Sequence, residues 1–218
     1  MKIALITGVS RGIGKALAEK FLENDYSVIG TSTEGASSLT HPKLKVFQLE
    51  LTDSKSIEVC ANQISQLGDK IDIFINNAGT WLPTDQGPSV DIPSLRKTLE
   101  INLIGPIDFT ERLTPLINER GHIINISSRN GSLDYAHNAI DPAYKISKAG
   151  LNMFTRVLAF RFKDKITASC VHPGAVKTAL AAPDADMDPE EAAEHIYKLA
   201  ISKPETGQFW FKGEKFPW

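Results

Sequence analysis

Tyr144 and Lys148 stand four residues apart in the run Tyr144-Lys145-Ile146-Ser147-Lys148. If that run is helical, the two side chains share a face, with Cβ atoms about 5–6 Å apart. A phenol with its ordinary pKa near 10 is a poor proton donor or acceptor at neutral pH. A neighbouring ammonium favours the phenolate, and lowering the pKa by about three units corresponds to about 4 kcal/mol. The pair can therefore serve acid–base chemistry at an oxygen. The bare pattern Tyr-x-x-x-Lys is common, so its meaning depends on its company.

A second chemical signal lies near the start, in Thr7-Gly8-Val9-Ser10-Arg11-Gly12-Ile13-Gly14. Glycines reach backbone dihedrals closed to other residues. They also let a pyrophosphate approach a helix N-terminus, whose N–H groups and positive dipole end favour an anion. The spacing is G-x-x-x-G-x-G and not G-x-G-x-x-G, and glycines alone separate a turn from a phosphate site poorly. Context decides for the phosphate site. An apolar run, Lys2 to Ile6, leads in, and Ile13, Ala16, Leu17 and Phe21 follow at helical spacing.

These groups need a scaffold, and strand and helix patterns alternate along the chain. Strands are expected at Lys2 to Ile6, Tyr26 to Thr31, Leu44 to Leu49, Ile71 to Asn76, Gly121 to Ser127, Ile166 to His172 and Gln208 to Phe211. Helices are expected at Gly12 to Asn24, Ser54 to Leu67 with Ser54 or Asp53 as cap, Ser94 to Asn118 bent or ended near Pro115, Asp141 to Phe162, and Pro189 to Ile201. Strands apolar on both faces imply a parallel sheet covered on each side. The expected architecture is α/β, a single-domain Rossmann fold over residues 1–218, with a doubly wound parallel sheet of about seven strands. In such a sheet ligands bind at the strand C-terminal ends, which makes Trp81 to Pro93 and Ala181 to Asp188 candidate substrate loops.

Further segments appear in order: Asn76-Asn77-Ala78-Gly79, Asn102 within a long helix, Gly121 to Ser128 ending in two serines, and His172-Pro173-Gly174-Ala175-Val176-Lys177-Thr178. With the glycine-rich turn and the tyrosine–lysine pair they span the whole chain. On these motifs the chain resembles the short-chain dehydrogenase/reductase family. The ending Gly207 to Trp218 is similar to the C-termini of a subgroup with C-factor and sniffer-type carbonyl reductases.

The resemblance implies a hydride transfer between a nicotinamide dinucleotide and a carbonyl or alcohol. Tyr144 would be the acid/base, helped by Lys148 and the oxidised nicotinamide. Ser128 would hydrogen-bond the substrate oxygen, with Ser127 as the alternative, and Asn102 would hold a water linking Lys148 to solvent. Gly8, Ser10, Arg11, Gly12, Ile13 and Gly14 would hold the pyrophosphate, and Asn77, Ala78 and Gly79 would flank the cofactor. Glu50 and Leu51 would sit beside the adenine, although the family more often has Asp or Asn where Glu50 stands. Thr178 and the backbone at Val176 would hold the nicotinamide amide, and Pro173 and Gly174 would also bind the cofactor.

The family's NAD-binding members carry an acid at the end of the second strand, where it repels the 2'-phosphate of NADP. Here that strand ends Gly30-Thr31-Ser32-Thr33. Hydroxyls of Thr31 and Ser32 with the Arg11 fork favour NADP(H). Glu34, twenty residues after Gly14, keeps NAD(H) as the alternative.

From Ser128 to Tyr144 is sixteen residues, which is longer than usual for the family, so Arg129 to Asp141 carries an insertion. Asp134, Tyr135, His137 and Asn138 either line the pocket or form an exposed loop. Trp81, Leu82, Tyr135 and Leu180 suggest an apolar pocket, or else pack against the fold. His172 is expected to pack at a strand end and not to act as a base.

The 24 Lys and Arg against 26 Asp and Glu give a net charge of -2, so the basic excess that nucleic-acid binding requires is missing. Cys60 and Cys170 suit buried thiols in a reducing compartment. No stretch approaches the roughly 20 apolar residues of a membrane span, so a cytoplasmic protein is expected, with no metal. Ala149, Leu151, Phe154, Leu158 and Phe162 extend past what one sheet need cover, which suggests a homodimer, or a tetramer, with an intramolecular core as the alternative. Two other functions stay open: a cofactor-binding signalling or regulatory protein with little turnover, and epimerase or dehydratase chemistry. The latter usually brings a larger C-terminal domain than the forty residues after Thr178.

Overall fold

The first strand, β1 (Ile3–Thr7), is buried along its whole length, as a central strand must be when helices cover both faces of a sheet. Its side chains alternate. Ile3 and Leu5 join one hydrophobic core and Ala4 and Ile6 the other. The computed structural model describes residues 2–135, 137–178 and 185–218. In it β1 is flanked by β2 (Ser27–Ser32) and β4 (Ile71–Asn76), and the sheet runs β3-β2-β1-β4-β5-β6-β7-β8. The remaining strands are β3 (Leu44–Gln48), β5 (Ile117–Ile126), β6 (Thr167–Val171), β7 (Gln208–Phe211) and β8 (Glu214–Lys215).

All pairings from β3 to β7 are parallel, and β8 is antiparallel to β7. This eighth strand lies beyond the seven expected. Lys212 and Gly213, at φ 48° and 86°, make the two-residue turn of a hairpin. Two residues are too short a strand to leave a periodic signal.

One face carries α1 (Gly12–Glu23) and α6 (Pro189–Ile201), with Leu17, Phe21, Ile196 and Leu199 in the core. The other carries α2 (Ser54–Ser65), capped by Asp53 through the Lys55 N–H at 2.9 Å, α4 (Gly105–Leu113) and α5 (Pro142–Arg161). Leu151, Phe154 and Leu158 of α5 are buried in this chain's own core. They therefore do not supply an intersubunit face. The residues α5 leaves outward are Ile146, Met153, Val157 and Phe160.

The long helix expected over Ser94 to Asn118 is broken. It starts earlier, as α3 (Ile92–Leu99), where the Asp91 carboxylate accepts the Ser94 N–H at 2.8 Å. A π-helical turn, Glu100–Ile104, precedes α4. Pro106 explains the break, because it cannot donate to a carbonyl one turn back and its ring crowds that turn. A 3-10 turn at Thr114–Leu116 ends the segment near Pro115, and β5 then begins at Ile117, four residues before the expected start. A register shift against β4 between Ile71 and Ile73 accommodates the early start.

Among the described residues no helix is long and apolar enough to cross a membrane. The strand order reverses at β1 and β4, and the C-terminal ends there open a crevice.

Candidate active site

The glycine-rich turn leaves β1 with Gly8 at φ 76° and enters α1 through Gly12 at φ 55°. Backbone N–H groups of Gly8 and Val9 both donate to the Thr31 carbonyl at 2.9 Å, tying the turn to β2. Gly14 is needed for room, since a Cβ there would lie 2.1 Å from the Gly8 carbonyl oxygen. Arg11, at the start of α1, caps no N–H with its side chain, so the first turn of the helix presents its donors to the crevice.

Asn77 and Ala78 hold the turn from the other side. Their N–H groups donate to Thr7 Oγ1 at 3.0 and 2.9 Å, and Asn77 Nδ2 donates to the Thr7 carbonyl at 2.8 Å. Asn76 points into the protein, where Nδ2 reaches Thr110 Oγ1 and Asn125 Oδ1, both at 2.9 Å.

The turn forms one end of a cavity of about 1080 Å³. That volume is at the upper end of the range for ligand pockets, which suits a dinucleotide with a substrate beside it. Its walls include Ser10, Arg11, Ile13, Thr31, Ser32, Glu50, Leu51, Ala78 and Gly79, together with Pro173, Gly174, Val176 and Thr178. A Cβ on Gly12 would come 3.2 Å from the Thr178 methyl, so the two motifs close on each other. The Glu50 carboxylate is turned away toward Thr52, whose N–H and hydroxyl it accepts at 3.1 and 2.9 Å.

At the end of β2 the Ser32 hydroxyl is engaged in its own loop, donating to the Ala36 carbonyl at 2.7 Å and accepting its N–H at 3.0 Å. Thr33, not among the residues expected at the cofactor, is exposed and lines the cavity. Glu34 is not among the lining residues.

At the other end α5 delivers Tyr144 and Lys148 on one face, as their spacing requires. Tyr144 and Ser128 line the cavity together, close enough for the Ser128 hydroxyl to favour the phenolate. Ser128 also accepts the Asn130 N–H at 3.2 Å, which fixes the short turn after β5. Ser127 points inward, its hydroxyl donating to the Lys148 carbonyl at 3.4 Å. The Lys148 ammonium donates to the Ile126 carbonyl at 2.9 Å and lies 5.6 Å from the centre of the Tyr144 ring.

Asn102 sits in the π-helical turn, outside the cavity lining. Its Oδ1 accepts the Thr80 N–H at 2.7 Å, and its Nδ2 donates to the Thr80 carbonyl at 2.8 Å and to Ser147 Oγ at 3.1 Å. The Ser147 hydroxyl in turn donates to the Tyr144 carbonyl at 2.7 Å.

Burial sets the electrostatics here. It pushes the Tyr144 phenol above its ordinary value, against the Ser128 hydrogen bond, and the Asp141 charge adds to the rise. It pushes the Lys148 ammonium down to about 8. In the protein alone burial thus sets Tyr144 above its ordinary value, while the Lys148 ammonium is engaged with the Ile126 carbonyl and its own charge is disfavoured. His172 is 7% exposed, stacks on Phe211 with ring centres 4.7 Å apart, and is pushed down to about 4 by burial. It packs at the strand end as expected, and it also lines the cavity.

Of the inserted loop only Asn138 among the four named residues lines the cavity. Tyr135 packs on His137 and Phe216, and the Asp134 N–H donates to the Trp218 carbonyl at 3.0 Å, so the loop leans on the C-terminal segment. Trp81 lines the cavity and Leu82 does not. Leu180, and residues 181–184 of the second candidate loop, lie outside the described residues. The sequence missed Asp85, whose buried carboxylate accepts the N–H groups of Ala143 and Tyr144 at 3.0 and 2.8 Å. It stands in a segment without periodicity, which carried no signal for it. Among the described residues no three His, Cys, Asp or Glu side chains are grouped to hold a metal ion.

A family model described as short chain dehydrogenase matches residues 2–189. The 1-hydroxy-2-glutathionyl-2-methyl-3-butene dehydrogenase of Rhodococcus sp. is 30% identical over 221 residues, covering 96% of each chain. A Burkholderia multivorans short-chain dehydrogenase/reductase structure with bound NADP superposes with a TM-score of 0.91 at 27% identity, covering 100% of this chain and 99% of that one. A carbonyl reductase from Pseudomonas aeruginosa gives 0.86 at 26% identity, with full coverage of both chains.

Proposed function

Because the chain belongs to the short chain dehydrogenase family, we propose that it is an NADP(H)-dependent oxidoreductase. It reduces a ketone or aldehyde, or runs the reverse, with Tyr144 as acid/base. One observation carries the reading: Tyr144, with Lys148 5.6 Å from its ring centre, shares one cavity with Ser128 and the glycine-rich helix start.

NADP(H) is favoured over NAD(H) because β2 ends without a carboxylate, Glu34 stays out of the cavity, and Arg11 and Thr33 line the region a 2'-phosphate would occupy. The NADP-bound Burkholderia neighbour supports the same choice. The glycine-rich turn would hold the pyrophosphate, Leu51 and Glu50 the adenine side, and Val176 and Thr178 the nicotinamide amide. When bound, the dinucleotide supplies or accepts the hydride.

The chain does the rest. Ser128 and Tyr144 hold the carbonyl oxygen between two hydroxyls, and Tyr144 gives it a proton as charge develops there. Burial keeps the phenol protonated at neutral pH, which is the form that reduction uses. Lys148, tethered to Ile126, places an ammonium beside the ring to stabilise the phenolate left behind. Asn102 holds Thr80 and the Ser147–Tyr144 turn in place.

The outward face of α5, with Phe160 71% exposed and Met153 64% exposed, is the surface we assign to a homodimer. Buried, reduced Cys60 and Cys170 suit the cytoplasm. The narrower likeness to C-factor and sniffer-type carbonyl reductases rests on the C-terminal segment.

The test is titration of wild type and Tyr144→Phe with NADPH and NADH, followed by NADPH consumption on a carbonyl panel that includes glutathione conjugates. Wild type should prefer NADPH and turn over. Tyr144→Phe should bind NADPH equally well, with kcat lower by about 10²–10⁴-fold. Binding by both without turnover on any carbonyl would favour a cofactor-binding regulator.

A further inference from the structure

The N-terminus of α5 is not capped by its own residue. Asp141 occupies the cap position at φ 58° and its side chain accepts none of the helix N–H groups. Its carboxylate instead accepts the Trp81 indole N–H at 3.1 Å. The capping is done from 58 and 59 residues away in sequence, by Asp85, whose two carboxylate oxygens take the N–H groups of Ala143 at 3.0 Å and Tyr144 at 2.8 Å. The Asp85 carbonyl also accepts the Asp141 N–H at 3.0 Å. The segment from Trp81 to Asp85 is thus bonded four times to the four residues that begin the catalytic helix.

Asp85 is 2% exposed. A carboxylate that far from water is tolerated when donors and a helix N-terminus meet it. Among the described residues no other side chain caps this turn, so the direction in which Tyr144 leaves the helix depends on Asp85. We propose that Asp85 is a positioning residue for Tyr144: by gripping that residue's own backbone N–H it sets the phenol against Ser128. The proposal rests on Tyr144 as the acid/base.

The titratable and charged groups around Tyr144 are Lys145, Lys148 and Asp141 on its own segment, Asp85 from the Trp81–Asp85 segment, and Arg129 and His172, which line the same cavity from the ends of β5 and β6. The Ser128 hydrogen bond favours the phenolate. Loosening it should move the Tyr144 midpoint upward.

The test uses the full-length chain with Asp85→Ala, which removes both acceptors, and Asp85→Asn, which keeps one in the same shape. Asp85→Ala should lower kcat at least tenfold, leave the NADPH Kd within twofold and raise the pH midpoint of kcat, with Asp85→Asn in between. Amide hydrogen exchange at Ala143 and Tyr144 should quicken in both. Retained kcat, or a parallel loss of kcat and NADPH binding with an unmoved midpoint, would overturn the proposal. If wild type reduces no carbonyl, the acid/base reading fails by itself. Asp85 is then judged by exchange and by ultraviolet titration of Tyr144, taken as the difference from Tyr144→Phe. An unchanged titration and unchanged exchange in Asp85→Asn and Asp85→Ala would sink it.

Discussion

The two ends of the cavity are held in different ways. At the glycine-rich end the close fit is made by backbone, Gly14 packing on the Gly8 carbonyl and the Gly8 and Val9 N–H groups bonding the Thr31 carbonyl, with the Thr7 hydroxyl and the Asn77 amide adding side-chain ties to neighbouring backbone. At the substrate end it is made by side chains reaching across loops, with Asp85 to α5, Trp81 to Asp141, and Asn152 to the Gly131 carbonyl at 2.9 Å. Backbone contacts leave almost no tolerance for a substituent. Side-chain contacts can be traded, so the same scaffold can carry a cofactor site that must not change beside a substrate site that can.

Gly14→Ala tests the first half of that contrast most severely. Its Cβ would stand 2.1 Å from the Gly8 oxygen and 2.5 Å from Asn77 Nδ2. The cost should exceed about 3 kcal/mol, beyond usual overpacking. Thermal melting and NADPH titration should both show the loss; a variant that melts and binds like wild type would break the contrast.

Gly131→Ala probes the second half. A Cβ there would meet the Lys148 backbone at 2.8–2.9 Å, so the Ser128 turn or α5 must give. We expect destabilisation of about 1–3 kcal/mol. Turnover should fall while NADPH affinity holds. Equal losses in both would mean that the two ends are not separable.

At neutral pH the smallest effect belongs to the sheet beneath both ends. His122 is 4% exposed and bonded to the Ala200 carbonyl and Ser169, and burial pushes it down to about 4, as it does His172. Between pH 6.5 and about 4 the unfolded chain binds protons at both positions that the folded chain refuses. Stability therefore falls as pH drops through that window, by up to about 3 kcal/mol for each histidine. His122→Gln should flatten the pH dependence of chemical denaturation without altering NADPH affinity. An unchanged slope would place the acid sensitivity elsewhere.

The sequence alone determined the alternation of strands and helices, the glycine-rich turn, and the shared face of Tyr144 and Lys148, because each follows from spacing within a few residues. The helix around Asn102 departs from the expected one because Pro106 forces a π-helical turn, and of the five residues along α5 weighed between an intersubunit face and an intramolecular core, Leu151, Phe154 and Leu158 lie in the core. Only the tertiary structure decided that the Ser32 hydroxyl turns into its own loop, that Thr33 joins Ser32 at the cavity wall, that Asp134, Tyr135 and His137 stay out of that wall, and that Asp85 caps the helix of Tyr144. Those contacts join residues far apart in the chain or compete with a local partner. A carboxylate in an aperiodic loop looks the same in sequence whether it meets water or the N-terminus of a distant helix.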